Sequence, residues 1–96
     1  MTVTAIIHVR AKPGLGGELR DTLIAFIPHA REDAQCKGID ILVDAENSDH
    51  IVLIEEWSSI DAHITYYETW KKREGYATIA KLRTAPGESR HYEVLD

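Results

Sequence analysis

Apolar and polar positions alternate from Thr2 to Ala11: Val3, Ala5, Ile7, Val9 and Ala11 fall on one side, and Thr2, Thr4, Ile6, His8 and Arg10 on the other. Period two over ten residues predicts a strand. Lys12-Pro13-Gly14 ends it, with Gly16-Gly17 close behind. The period then lengthens. Leu15, Leu19, Leu23, Phe26, Ile27, Ala30 and Ala34 recur at spacings of three and four, the stripe of an amphipathic helix. Pro28 is expected to kink or restart this helix, and Lys37-Gly38 to stop it with glycine in the left-handed position. A second strand is expected over 39–45, with Asn47-Ser48-Asp49 as the turn.

The stretch from Ile51 to Trp70 is the richest. Ile51-Val52-Leu53-Ile54 reads as a largely buried strand, followed by Glu55-Glu56-Trp57. Ser58-Ser59 offers a hydroxyl N-cap, and Asp61 stands at capping-box spacing from Ser58. At 100° per residue, Ile60, His63, Ile64, Tyr67 and Trp70 then share one helical face. Gly75 breaks the helical region, and Tyr76, Ile79, Ala80 and Arg83 resume it until Ala85-Pro86-Gly87. A last alternating strand is expected over 89–95. The order β-α-β-β-α-β predicts an α+β, ferredoxin-like domain, a four-stranded antiparallel sheet with its helices on one face. The other sheet face carries Ile6, and a second copy packed sheet to sheet would cover it.

Ninety-six residues make one domain, residues 1–96. A net charge of −5 argues against a nucleic-acid partner, which needs clustered Lys and Arg. The one basic cluster, Lys71-Lys72-Arg73, runs straight into Glu74 and reads as a solvated helix end. Cys36 is the only cysteine, which excludes an intrachain disulfide and fits a reducing cytoplasm. No apolar run is long enough to span a membrane, and none looks like a leader.

Several residues matched together resemble one known family. They are the first strand ending in Lys12-Pro13-Gly14, the helix before Cys36-Lys37-Gly38, the strand exit Ile54-Glu55-Glu56-Trp57-Ser58-Ser59 with Ala62 soon after, and the closing Arg90-His91-Tyr92-Glu93-Val94. With them the chain resembles the antibiotic biosynthesis monooxygenase domain of the dimeric α+β barrel superfamily. The resemblance implies a homodimeric barrel and a ligand cavity in each subunit between sheet and helices. It implies oxygenases that act on polycyclic phenols and quinols without metal, flavin or haem. Other members degrade haem. That branch uses an asparagine where this chain has Ile7, a tryptophan where it has Tyr66 and an axial histidine near Tyr76, so three mismatches count against haem degradation.

The expected catalytic residue is His63, a base or hydrogen-bond partner that titrates near neutral pH. Ile7, Phe26, Tyr66, Tyr67, Trp70 and Tyr76 are the expected substrate-binding residues, the aromatics stacking on a planar ligand. Trp57 reads as core. His8 and His91, on strands expected to be neighbours, are expected to approach each other as a polar patch. With no third ligand, no metal is expected. His29 and His50 read as surface. Glu55 and Glu56 should point to opposite faces, with a salt bridge or a hydrogen bond across the dimer as their use. Cys36 lacks a placed histidine and is a weak nucleophile candidate. The expected function is therefore cofactor-independent monooxygenation of a small aromatic phenol or quinol. The alternatives are a non-catalytic dimer that binds a small ligand, and an isomerase or lyase on the same scaffold.

Overall fold

The computed structural model describes residues 2–96. The alternation at the start of the chain forms strand β1 (Val3–Arg10), with Val3, Ala5, Val9 and, just beyond it, Ala11 buried on one side. Helix α1 (Gly16–Glu32) lays Leu19, Leu23, Ile27 and Ala30 on that side. Strands β2 (Cys36–Asp44) and β3 (Asn47–Trp57) form a hairpin. Helices α2 (Ile60–Trp70) and α3 (Tyr76–Leu82) come next, and β4 (Glu88–Tyr92) closes the sheet. The sheet order is β2-β3-β1-β4, all neighbours antiparallel, which is the expected ferredoxin-like arrangement. The main core joins Val9, Ala11, Ile51 and Leu53 of the sheet to Leu19 and Leu23 of α1 and to Ile79 and Leu82 of α3. A smaller cluster of Val3, Ala5 and Trp57 lies toward the other end of the sheet. Among the described residues, no helix is long and apolar enough to cross a membrane.

Local chemistry moves several expected boundaries. Helix α1 stops at Glu32, before Lys37-Gly38, because Asp33 turns extended and its Oδ1 accepts the Gln35 N–H at 2.9 Å. Gly38 therefore sits inside β2 next to an irregular register step, and its φ is not positive. Pro28 neither breaks nor restarts α1. The carbonyl its ring deprives of a partner belongs to Ile24, which is exposed, so solvent can replace the lost bond. Leu15 is the N-cap position and gives no side-chain cap. Asp49 serves instead, its two carboxylate oxygens accepting the Gly14 and Gly16 N–H groups at 3.0 and 2.9 Å. The hairpin turn is Ala45-Glu46, not Asn47-Ser48-Asp49. Asp44 Oδ1 accepts the Glu46 N–H, and Asp44 already pairs with Asn47.

Ser59, not Ser58, caps α2, its Oγ accepting the Ala62 N–H at 3.1 Å. Ser58 bonds back to Gln35. Gly75, at φ 98°, breaks α2 from α3 as expected. Strand β4 ends at Tyr92 rather than Leu95, because Tyr92 already pairs with Thr4 and little of β1 remains to pair with residues 93–95. Val94 and Leu95 are exposed.

Candidate active site

Strand β3 alternates, so Ile51, Leu53, Glu55 and Trp57 all face the helices while Glu56 faces away. Ile51 and Leu53 begin an apolar series, and Glu55, only 5% exposed, breaks it with a carboxylate. Trp57, fully buried, donates its Nε1–H to Glu55 Oε1 at 2.9 Å. The Glu55 bond is thus made within the chain. His63, on the first turn of α2, brings Nε2 to 3.5 Å from the same oxygen. Its Nδ1 lies 2.8 Å from Nε2 of His91 on β4. Two imidazoles and one carboxylate therefore stand in a line, Glu55–His63–His91.

The cluster occupies one part of a cavity of about 280 Å³, near the lower end of the ~300–1,000 Å³ typical of small-molecule sites. The wall is otherwise mostly apolar and aromatic. Of the residues singled out in the sequence, Ile7, Phe26, His63, Tyr66, Tyr67 and Trp70 line it. The aromatic side is built edge to face: Trp70 meets Phe26 at 5.3 Å and Tyr76 at 5.0 Å between ring centres. Tyr66 leans on Trp57 at 5.1 Å. Tyr76 is not part of the wall. Its hydroxyl stands behind, 3.2 Å from the Tyr67 hydroxyl, and accepts an N–H from Arg83 at 2.9 Å. Arg83 itself reaches the wall. Of the helix face expected to point inward, Ile60 lies outside the cavity and Ile64 lines it while remaining 48% exposed, so the pocket opens on that side.

Burial sets the protonation of the cluster. It pushes the Glu55 carboxyl up from the usual carboxylate range, against the Trp57 bond that pulls it down. Burial, helped by the charge of His91, lowers His63 to about 4, so His63 is neutral at pH 7. Tyr66 is raised to about 12 by burial and by Glu55. Burial and the bond to Tyr76 also raise Tyr67, whereas the Tyr67 bond and Arg83 lower Tyr76. Tyr66 and Tyr67 remain protonated at neutral pH and act as hydrogen-bond groups.

The expected meeting of His8 and His91 does not occur. Their strands are neighbours, but His8 pairs in register with Glu88 and His91 with Ala5, so the two point to opposite sheet faces. His8 instead bonds His50, Nδ1 to Nε2 at 2.9 Å with the rings stacked, and His50 Nδ1 lies 3.0 Å from Asp44. His50 is thereby half-buried rather than a free surface residue. Burial keeps the Cys36 thiol protonated, and it donates to the Gly38 carbonyl, so nothing prepares it as a nucleophile. Among the described residues, no group of three or more His, Cys, Asp and Glu is arranged to hold a metal ion. Of the titratable groups on the wall, those not foreseen as site residues in the sequence are Glu55, His91 and Arg83. The period-two signal that puts Leu53 inward also puts Glu55 inward.

The family model described as antibiotic biosynthesis monooxygenase matches residues 2–81. Among solved structures, the chain is similar to Rv0793 from Mycobacterium tuberculosis, at 24% identity and a TM-score of 0.77, over 100% of this chain and 97% of that one. It is similar to PA3566 from Pseudomonas aeruginosa, at 22% identity and a TM-score of 0.76, over 97% and 94% of the two chains. It also matches a mutant form of SnoaB, a cofactor-independent oxygenase from Streptomyces nogalater, at 13% identity and a TM-score of 0.81, over 99% and 94%. Among curated proteins, none matches the sequence. At these identities the structural likenesses establish the fold.

Proposed function

The chain belongs to the antibiotic biosynthesis monooxygenase family, and on that premise we propose that it is a monooxygenase without metal, flavin or haem, acting on a small aromatic or polycyclic phenol or quinol. The observation that carries this reading is the Glu55–His63–His91 line set into a cavity otherwise walled by apolar and aromatic side chains. A phenol in such a cavity loses its proton to the cluster, with His63 at its centre. The phenolate, desolvated, gives an electron to O₂, and the radical pair recombines at a ring carbon. Cleavage of the O–O bond leaves one oxygen on the ring as a quinone and releases the other as water. The substrate supplies every electron, so no reductant is needed. The protein contributes orientation, water exclusion and a place for the proton. SnoaB, described as a cofactor-independent oxygenase on the same fold, supports this direction.

The working unit in this reading is a homodimer closed through the outer sheet face, where Ile6, Val52 and Ile54 are half-buried and Leu42 and Tyr92 are exposed. Such a patch needs a cover. A cytoplasmic location and the absence of nucleic-acid or membrane partners belong to the same proposal. The test is oxygen consumption and product formation by metal-free, flavin-free protein given a panel of reduced aromatic phenols and quinols.

A second reading, an isomerase or lyase on a related aromatic or lactone, draws on the same cluster, because a carboxyl and two imidazoles provide acid and base without oxygen. A substrate converted at an undiminished rate under nitrogen would select it. Ligand binding without turnover would select the non-catalytic dimer.

A further inference from the structure

Both ring nitrogens of His63 face groups of the protein itself. Its Nε2 faces Glu55 Oε1 at 3.5 Å and its Nδ1 is bonded to His91 Nε2 at 2.8 Å. His63 is 7% exposed, and its ring lies against Trp57 with 5.5 Å between ring centres. His91 differs on each point. It sits on the edge strand β4, is half-buried, lines the cavity, and no hydrogen bond among the described residues occupies its Nδ1.

We propose that His91 is the catalytic base that touches the substrate, and that Glu55 and His63 are positioning residues which hold its imidazole with Nδ1 free for the phenol. This rests on the phenol-oxygenase reading for the identity of the substrate, but the proton transfer stands apart from the oxygen chemistry. In this proposal the tautomers are assigned from the charge of Glu55 through the chain of contacts. A proton on His63 Nε2 faces the Glu55 carboxylate, which leaves His63 Nδ1 as an acceptor. His91 must then donate from Nε2, and its Nδ1 carries the free lone pair. The depressed basicity of His63 agrees, since a neutral ring is the acceptor this arrangement requires. In the step itself the phenol O–H bond breaks, the Nδ1–H bond forms, and the phenolate keeps the electron pair. The other ionisable groups on the cavity wall are Glu55, Tyr66, Tyr67 and Arg83. Glu55 reaches His91 only through His63. The tyrosines remain protonated, and the hydrogen bond from Arg83 goes to Tyr76.

The experiment uses 1-naphthol, which is protonated in solution at pH 7, bound to the protein under nitrogen. The absorbance of bound naphtholate reports the proton transfer. Wild type should show the naphtholate band. His91→Gln should cut the ionised fraction at least tenfold while changing naphthol affinity less than threefold. His63→Ala should also lower it, and His63→Gln, whose amide oxygen can accept from His91 Nε2, should restore it. A His91→Gln protein that still ionises naphthol while His63→Gln does not would make His63 the base and overturn the proposal. So would a wild type that leaves naphthol neutral or fails to bind it. Naphtholate formed without oxygen uptake on any substrate would keep the proton transfer and reject the oxygenase. Wild-type oxygen uptake by His91→Gln would do the reverse.

Discussion

His63 Nδ1 and His91 Nε2 lie 2.8 Å apart across the space between α2 and β4, so the helix and the edge strand are tied at the cavity by one imidazole pair. The pair cannot be doubly protonated without placing two like charges in contact, and burial decides which ring stays neutral.

That depression has a consequence for stability. Unfolded, His63 takes a proton near pH 6.5, whereas folded it resists until about pH 4. Between those values the unfolded state binds more protons, so the contribution of neutral His63 is whole above pH 6.5 and is lost as pH falls toward 4. After allowance for solvent screening the loss is roughly 1–2 kcal/mol. Urea unfolding of wild type and His63→Gln at pH 7 and pH 4.5 should show the gap between them shift in favour of the variant at the lower pH. An unchanged gap would mean that His63 is charged in the fold.

Glu55 carries the opposite sign. Its carboxyl is raised by burial, so the folded state is favoured fully below the ordinary carboxylate pKa of 4.5 and loses that advantage as pH rises through the folded value. Glu55→Gln keeps an oxygen for the Trp57 N–H and removes the buried charge. It should raise Tm at pH 7 by a few degrees, the scale on which about 1 kcal/mol moves a domain of this size. The gain should vanish at pH 3.5. A fall in Tm at pH 7 would show that the charge is stabilised by its neighbours.

Gly16 begins α1 where an added Cβ would run into the Ser48 carbonyl oxygen and lie 2.8 Å from Asp49 Oδ1. Gly16→Ala must push the hairpin away and disturb the Asp49 cap. A loss of ~2–3 kcal/mol is expected by chemical unfolding. A loss below about 0.5 kcal/mol would mean that the turn moves freely.

The outer sheet face makes its own prediction. Ile54→Lys places a charge at the centre of the patch formed with Ile6 and Val52, while its side chain points away from the cavity. Light scattering should give a dimer for wild type and a mass near the 10.8 kDa of one chain for the variant. A wild type of that lower mass would remove the barrel.

Strand and helix identities are legible because burial follows period. Val3, Ala5 and Val9, or Leu19 and Leu23, are buried where their spacing puts them. The features that are not legible depend on contacts between distant segments. Asp49 caps a helix that starts 33 residues earlier, and no local pattern announces it. The partner of His91 escapes the sequence for the same reason. Neighbouring strands can be foreseen, but register decides which face each histidine takes, and register is set by the whole sheet. Glu55 is legible in period two, yet a carboxylate beside Glu56 reads as a contact across the dimer until Trp57 and His63 are seen around it.

The oxygenase reading stands or falls on oxygen uptake by metal-free, flavin-free protein, measured over a panel of reduced polycyclic phenols and quinols. The expected result is saturable uptake with one O₂ consumed per quinone formed, and at least a tenfold lower rate in His91→Gln. Uptake no greater than that of boiled protein, with ligands still bound, would contradict it.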